Sequence, residues 1–206
     1  MIATGKTLSL LKKTLDLSAA DQTEVLFWAN DLHLTRFANN YIHQNVSEKN
    51  ASLSIRVILG KKIGCASTNL LDPKSIQNTV AKAIQIAHNQ RDNPHFKSLP
   101  SAEGKYASAN TFDAETASFT PDQRAEIARK VIGVAKKGHL TASGALSTGV
   151  VQVAVASSLG IQACQSFTRG ALRTVFQPSD EASGYAESFS AKVRQIDPEE
   201  MAHQAA

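Results

Sequence analysis

The chain has 206 residues, 42% of them hydrophobic, and a formal net charge of +4. This length suffices for one large domain or two small ones with a buried core. No apolar run approaches the roughly 18 residues of a membrane-spanning helix, so no membrane association is expected. The start of the chain lacks a signal peptide, and Cys65 and Cys164 are too few for a disulfide framework. We therefore expect a cytoplasmic protein with two reduced, buried thiols.

The positive charge is spread along the sequence rather than concentrated in one stretch. Lysine pairs stand at Lys12-Lys13, Lys61-Lys62 and Lys136-Lys137, each among neutral residues. Proteins that bind nucleic acid concentrate such residues on one face, where they release counterions from phosphates. Scattered pairs are more typical of solvated surfaces, so binding of nucleic acid is not expected.

The first half of the sequence predicts a helix, a group of strands and a second helix. Leucines at helical spacing predict an opening amphipathic helix at residues 8–17. Alternating apolar residues then predict about five short antiparallel strands up to residue 68. Turns between them are predicted at Asn30-Asp31, Asn39-Asn40 and Gly60-Lys61. Asp72-Pro73 predicts a helix start, because Asp caps free amides and Pro needs no hydrogen bond there.

The second half repeats this organisation after a break. Residues 96–119 are rich in small polar residues, proline and glycine, which predicts a connection. Thr120 to Gln123 form a capping-box pattern before a second amphipathic helix that ends at Gly138. Strands follow up to residue 176, with turns predicted at Gly149, Gly160 and Gly170.

A Gly-x-Ala strand followed by an Asp-Pro helix start occurs twice, at residues 64–73 and 184–198. This recurrence predicts an internal duplication. The fold class is therefore predicted as α+β, with antiparallel meander sheets, helices packed on one face and two degenerate strand-and-helix repeats. The first unit is predicted at residues 1–95, the connection at 96–119 and the second unit at 120–206. Because the last predicted helix has barely begun at Ala206, we expect the natural protein to continue.

The sequence contains no pattern typical of a catalytic or metal site. The six histidines are isolated, whereas a zinc site needs three or four preorganised ligands. Residues 4–7 read Thr-Gly-Lys-Thr but lack the strand and first glycine of a phosphate-binding loop. No Gly-x-Ser-x-Gly elbow is present. We therefore predict no catalytic residue, metal ligand or cofactor within this chain.

Arg36, Asn39, Asn40 and His43 form the most informative polar group, because they surround one predicted turn. They could contact a peptide backbone or a partner protein. Alternatively, they could form an ordinary solvated hairpin turn, since Asn tolerates left-handed backbone. Arg56 stands alone in an apolar alternation and either faces solvent or makes a buried ion pair.

Several motifs resemble one protein family when they are taken in order. An Arg-Phe-Ala-Asn strand at 36–39 precedes an Arg-containing strand at 53–57, a Gly-Cys-Ala-Ser-Thr strand at 64–68 and the Asp72-Pro73 helix. This order resembles the amino-terminal domain of the TldD/PmbA family, most clearly over residues 24–87. Proteins of that family are peptidase-related and are associated with peptide processing and a proposed modulation of DNA gyrase.

The resemblance implies a non-catalytic amino-terminal domain that contributes to dimer assembly and to a cavity for peptide substrates. It implies a homo- or hetero-dimer with a TldD/PmbA-like subunit and unfolded peptides as substrates. In the metal-bearing branch, zinc is held by a His-Glu-x-x-x-His helix of the carboxy-terminal domain, which lies outside this sequence. The first alternative is a regulatory interaction module, for example one that acts on DNA gyrase without proteolysis. A nucleic-acid-binding domain is the second alternative.

Overall fold

A computed structural model describes residues 2–104, 106–107, 109–178 and 182–206 of the chain. The elements are α1 (Thr4–Asp16), β1 (Gln22–Ala38), β2 (Tyr41–Leu59), β3 (Lys62–Thr68), α2 (Pro73–Asn89), α3 (Ala114–Ala117), α4 (Pro121–Lys137), β4 (Thr141–Ser157), β5 (Gln162–Gln177), β6 (Gly184–Ser190), a 3₁₀ turn (Val193–Gln195) and α5 (Pro198–Ala205). None of the helices in these ranges combines the length and apolar character needed to cross a bilayer.

The six strands form one open antiparallel sheet in the order β3-β2-β1-β4-β5-β6. β2 pairs with β3 from Leu53↔Thr68 to Leu59↔Lys62, and β5 pairs with β6 from Gly170↔Ser190 to Phe176↔Gly184. The predicted α+β class is confirmed. Apart from α3 and the 3₁₀ turn, each half of the chain runs helix, three strands, helix. A duplication of the sequence itself stays a prediction.

The strands are fewer and longer than the sequence pattern predicts. Three strands rather than five precede α2, and the predicted turns at Asn30-Asp31, Gly149 and Gly170 are wrong because these residues lie inside β1, β4 and β5. A polar residue does not end a strand, since the ladder is formed by backbone groups. A Cβ atom at Gly149 would lie 2.4 Å from the Asp31 carbonyl oxygen, so this glycine permits a close backbone approach.

The chain folds into two compact units, each assembled from three segments. Unit 1 consists of Met1–Ala29, Asn50–Ala109 and Gln152–Gln165, and unit 2 of Asn30–Lys49, Asn110–Val151 and Ser166–Ala206. The sequence-based division at 1–95, 96–119 and 120–206 follows the order of elements and stays a prediction about domain organisation. The two compact units are defined by contacts between residues and not by the order of elements. Four long strands, β1, β2, β4 and β5, therefore contribute residues to both units.

The core of unit 1 lies between strands and the helices α1 and α2. Its buried apolar residues are Leu11, Val25, Phe27, Ala29, Leu53, Ile55, Val57, Ile76, Val80, Ala83, Ala87, Ala154 and Ala156. The α2 members recur every three or four residues, which confirms the amphipathic helix predicted there.

The core of unit 2 is built in the same way from α4 and α5. Its buried apolar residues are Phe37, Ala128, Val131, Ile132, Ala135, Ala142, Leu146, Leu172, Phe176, Ala186, Val193, Ile196, Met201, Ala202 and Ala205. Each unit therefore buries one face of its strands under helices.

The predicted helix starts are confirmed in their hydrogen bonds. The Asp72 carboxylate accepts from the Ser75 amide, and the Asp197 carboxylate accepts from the amides of Glu199 and Glu200. At α4, Thr120 and Gln123 form the reciprocal capping box. Each cap satisfies amide groups that a helix end leaves unpaired.

The two Gly-x-Ala motifs have a common packing role at the sheet edges. A Cβ atom at Gly64 of β3 would lie 2.1 Å from the Ala83 carbonyl oxygen of α2. A Cβ atom at Gly184 of β6 would lie 2.0 Å from the Ala205 carbonyl oxygen of α5. Both glycines therefore let a helix backbone approach an edge strand closely.

Replacing Gly64 with alanine is expected to destabilise the protein by about 1–3 kcal/mol, because α2 must move away from β3. Urea denaturation followed by circular dichroism measures the change. Gly133→Ala is the matched control, since no heavy atom lies within 4 Å of a Cβ at that position of α4. The control is expected to gain about 0.5–1 kcal/mol. Equal effects of the two substitutions would contradict the close-packing explanation.

Candidate functional site

The predicted polar group lies on the β1–β2 hairpin of unit 2. Asn39 and Asn40 have φ angles of +51° and +62°, so the predicted turn is confirmed. Left-handed backbone at both central positions suits the tight turn that joins two antiparallel strands. Asn tolerates this conformation better than most other residues, which explains why it stands at both positions.

Asn40 is held by contacts within the fold. Its side-chain amide donates to the Leu140 carbonyl oxygen at 2.9 Å, and its side-chain oxygen accepts from the Ala142 amide at 2.8 Å. Its backbone amide also donates to the Ala142 carbonyl oxygen. Asn40 therefore joins the hairpin to the start of β4.

The other three predicted contact residues are exposed on the same hairpin. The Arg36 guanidinium donates to the Gln44 side-chain oxygen at 3.2 Å. The His43 ring lies edge-on to the Tyr41 ring, with 6.2 Å between ring centroids. Their side chains are thus available to a partner, and a contact role for Arg36, Asn39, Asn40 and His43 stays a prediction.

The hairpin contributes to a cavity in unit 2 that sequence reasoning missed. We name it the α4 cavity; its volume is about 450 Å³. It is lined by His33, Asn45, Val46, Ser47, Ala117, Ser118, Phe119, Thr120, Pro121 and Arg124. One wall is therefore formed by β1 and β2, and the other by the segment that leads into α4.

Arg124 is the most deeply buried charge at this cavity, with 2% of its surface exposed. Nε donates to the Thr35 hydroxyl at 3.2 Å. Nη1 donates to the Phe119 carbonyl oxygen at 2.7 Å and to the Thr148 hydroxyl at 3.3 Å. These acceptors are neutral, and burial lowers the pKa of the Arg124 guanidinium because desolvation disfavours its charge.

A second polar cluster lies beside the cavity. His33 Nε2 is 3.1 Å from Asp31 Oδ1, and the Lys49 ammonium is 3.1 Å from Asp31 Oδ2. His33 Nδ1 is 3.0 Å from the Ser47 hydroxyl oxygen. This arrangement resembles a serine nucleophile, Ser47, with His33 as its base and Asp31 as the group that orients the base. However, Lys49 shares the carboxylate, and Oδ1 accepts no aligned hydrogen bond among the described residues, so we assign no nucleophile here.

Sequence reasoning missed Arg124 because a charged residue in an amphipathic helix is usually placed in solvent. A signal was nevertheless present. Arg124 lies on the same helical stripe as Ala128, Val131 and Ala135, all of which are buried. A charge on an apolar stripe indicates a buried polar contact.

A second cavity of about 460 Å³ in unit 2 is lined by Leu34, Ala145, Ser147, Arg169, Gly170, Ala171, Arg173, Glu187 and Phe189. At its rim the Tyr185 hydroxyl donates to Glu187 at 2.7 Å, and Arg173 pairs with the same carboxylate. These two partners hold the pKa of Glu187 below its ordinary value. The cavity therefore has a small-residue floor and a charged rim.

In unit 1, Arg56 forms an ion pair with Glu24 at 2.7 Å while 43% of its side chain is exposed. Arg56 therefore makes an ion pair, as in the second alternative left open by the sequence, but the pair is partly exposed rather than buried. The prediction that both thiols are buried is wrong for Cys65, which is exposed, whereas Cys164 is partly buried. Because Gly64 faces α2, strand alternation directs Cys65 to the opposite side of β3.

Within the described ranges, no three side chains of His, Cys, Asp or Glu come together as a metal-binding group. The zinc site that the family resemblance implies belongs to another domain, outside this sequence.

Replacing Asn40 with alanine is expected to destabilise the protein by about 1–3 kcal/mol. The physical reason is the loss of both side-chain hydrogen bonds to the start of β4, together with strain at positive φ. Thermal unfolding measures the loss. Asn39→Ala, at the neighbouring turn position, introduces similar strain at positive φ but removes neither of these hydrogen bonds, so it should cost less. An equal loss in both variants would show that turn conformation alone accounts for Asn40.

Glu187 is expected to contribute stability that depends on pH. Its folded-state pKa lies below the ordinary value of 4.5, so the contribution is present above pH 4.5 and is lost as pH falls through the lowered value. Unfolding midpoints of the natural protein and Glu187→Gln should therefore differ at pH 7 and converge in acid. A constant difference from pH 7 to pH 2 would contradict this assignment.

Part of the chain matches a known protein family. Residues 32–87 match the family model described as PmbA/TldA metallopeptidase domain 1. This stretch contains the last part of β1 from residue 32 onward, all of β2 and β3 with their connecting turns, and most of α2. No curated protein is significantly similar to the chain.

Three solved structures share the fold over nearly the whole chain. TldE from Thermococcus kodakarensis is 19% identical with a TM-score of 0.82, covering 98% of this chain and 46% of its own. A proposed modulator of DNA gyrase from Thermotoga maritima is 16% identical with a TM-score of 0.82, covering 98% and 47%. Another from Bacteroides thetaiotaomicron is 16% identical with a TM-score of 0.84, covering 100% and 49%.

The chain thus spans about half the length of each of these solved proteins. At such low identity the structural likeness shows the fold alone. Residues 32–87 match the first domain of the PmbA/TldA metallopeptidase family, and the chain as a whole shares its fold with TldE and the two proposed modulators of DNA gyrase.

Proposed function

We propose that this chain is the non-catalytic amino-terminal domain of a metallopeptidase-related protein, and that it supports dimer assembly and forms part of a peptide-substrate cavity. The observation that carries the proposal is the match of residues 32–87 to the first domain of a metallopeptidase family. In this proposal the catalytic metal, zinc in the metal-bearing branch, belongs to a carboxy-terminal domain. The chain itself contributes no cofactor.

The hairpin within the matched region supplies the proposed contact surface. β3 pairs with β2 only from Leu53 onward, whereas β2 begins at Tyr41. The first part of β2 therefore extends beyond its pairing with β3. An extended peptide binds such a strand through backbone hydrogen bonds and places its side chains in neighbouring pockets. The α4 cavity, lined by Asn45 and Ser47 of the same strand, is one such pocket.

The proposal includes a homo- or hetero-dimer with a second TldD/PmbA-like subunit, and unfolded peptides as the substrates. It also places the protein in the cytoplasm. A reducing compartment suits Cys65 and Cys164, both of which are free thiols.

A regulatory interaction module is the second candidate. Two of the solved proteins that share the fold are described as proposed modulators of DNA gyrase. In that case the exposed hairpin residues would contact a folded protein rather than an extended peptide. The metallopeptidase match in sequence favours the peptide proposal over this one.

A photo-crosslinking residue at position 43 tests the proposal. His43 is exposed on β2, and we expect the substituted protein to label unfolded peptides in a saturable manner. The same substitution at Gln85, an exposed position on α2, is the control and should label few peptides. Labelled peptides are identified by mass spectrometry.

Two results would count against the peptide proposal. Equal labelling at positions 43 and 85 would show non-specific contact. Stoichiometric labelling of folded DNA gyrase at position 43, without labelling of unfolded peptides, would favour the regulatory module.

A further inference from the structure

We infer that the α4 cavity binds a carboxylate group and that, within the proposed function on which this inference rests, the group is the carboxyl terminus of a peptide. The inference concerns the substrate class of the cavity, because a free carboxyl terminus distinguishes peptide ends from internal peptide segments. Three observations support it: a buried charge without an ion-pair partner, a polar lining and a suitable size.

The first observation is the charge of Arg124. A buried cation is costly unless an anion or several strong acceptors compensate it. Arg124 has only neutral acceptors, namely two hydroxyl groups and one carbonyl oxygen. Its three hydrogen bonds use three of the five guanidinium N–H donors. The remaining two donors, both on Nη2, take part in none of these three bonds. A carboxylate in the cavity that Arg124 lines would supply the missing negative charge.

The acidic side chains near the cavity do not supply this charge. The Asp31 carboxylate is already shared between Lys49 and His33. Asp122, in the first turn of α4, is exposed, where water screens its charge. Glu126 of the same helix is paired with Arg129. None of these three carboxylates forms an ion pair with Arg124.

The second observation is the polar character of the lining. On one wall the Ser47 hydroxyl and the His33 ring are hydrogen-bonded to each other at 3.0 Å, and the Asn45 side-chain oxygen accepts from the Thr35 hydroxyl, which leaves the Asn45 side-chain NH₂ as a donor. The opposite wall leads into the start of α4, where the helix dipole adds partial positive charge. Polar groups of the lining thus stand on both walls of the cavity, and Arg124 supplies the full positive charge.

The third observation is the size of the cavity together with the single positive charge of Arg124. A volume of about 450 Å³ accommodates a terminal carboxylate with one or two peptide side chains. A planar guanidinium matches a carboxylate in geometry, and a single buried cation balances one negative charge. A phosphate group at neutral pH carries up to two charges and would leave one uncompensated. The cavity thus favours a carboxylate over a phosphate.

Binding of paired peptides tests the inference. One tetrapeptide with a free carboxyl terminus is compared with the same tetrapeptide ending in an amide, using isothermal titration calorimetry with the full chain. The acid is expected to bind at least about tenfold more tightly, and the difference should shrink at high salt because the contact is ionic. Acetate alone should shift the backbone amide resonances of Ser47 and Ser118, whereas inorganic phosphate at equal concentration should shift them less.

Variants separate this site from a general change in the fold. Ser47→Ala and His33→Gln change polar groups of the lining and should each reduce the acid-to-amide ratio several-fold. Lys130→Gln removes an exposed charge of the same helix outside the cavity and should leave the ratio unchanged. Arg124→Gln should abolish the preference, and its circular dichroism spectrum shows whether the variant folds. The two lining variants decide the question if it does not.

Two outcomes would overturn the inference. Equal affinities for acid and amide, without acetate-induced shifts, would show that the cavity does not recognise a carboxylate. A preference for phosphate would show that it takes another anion. If position 43 labels amidated and free-acid peptides equally, this inference fails while the proposed function stands. If neither peptide labels position 43, the proposed function fails, and the acetate shifts alone decide whether the cavity binds carboxylates.

Discussion

Burial of one face of each long strand beneath helices is the constraint on which the rest of the structure depends. In β1, Val25 and Phe27 are fully buried, whereas the intervening Leu26 and the following Trp28 remain 38% and 44% exposed. Each large apolar side chain removed from water contributes about 1.5–3 kcal/mol, so this alternation dominates the stability of each unit. It also fixes register, because a shift by one residue would expose the entire buried set.

The edge strands show how tightly the helices are applied to the sheet. At Gly64 and Gly184 a helix carbonyl oxygen occupies the space that a side chain would need. Helix starts near these edges are set by Asp-Pro pairs, and the result is a similar edge in each unit. These local signals are compatible with a fold that is shared by solved proteins of below 20% identity.

Unit 2 combines this apolar packing with a polar network that stability alone does not require. A buried arginine held by neutral acceptors costs free energy relative to an apolar side chain of similar volume. Arg124 lies beside a cavity whose other wall is the hairpin within the stretch that matches the family domain. A buried charge and a polar lining are typical of a recognition surface. They connect the fold to the peptide-binding role proposed here.

The sequence by itself determined the α+β class, the helix caps at Asp72, Thr120 and Asp197, and the turn at Asn39-Asn40, because these depend on residues close together in the chain. The family resemblance also followed from local motifs. Only the tertiary structure decided that apparent turns at Asn30-Asp31 and Gly149 are strand interiors, since their neighbours come from distant segments. The exposure of Cys65 and the burial of Arg124 were likewise decided by packing. The α4 cavity joins His33, Ser47 and Arg124 across some 90 residues of sequence, and no local pattern records such a meeting.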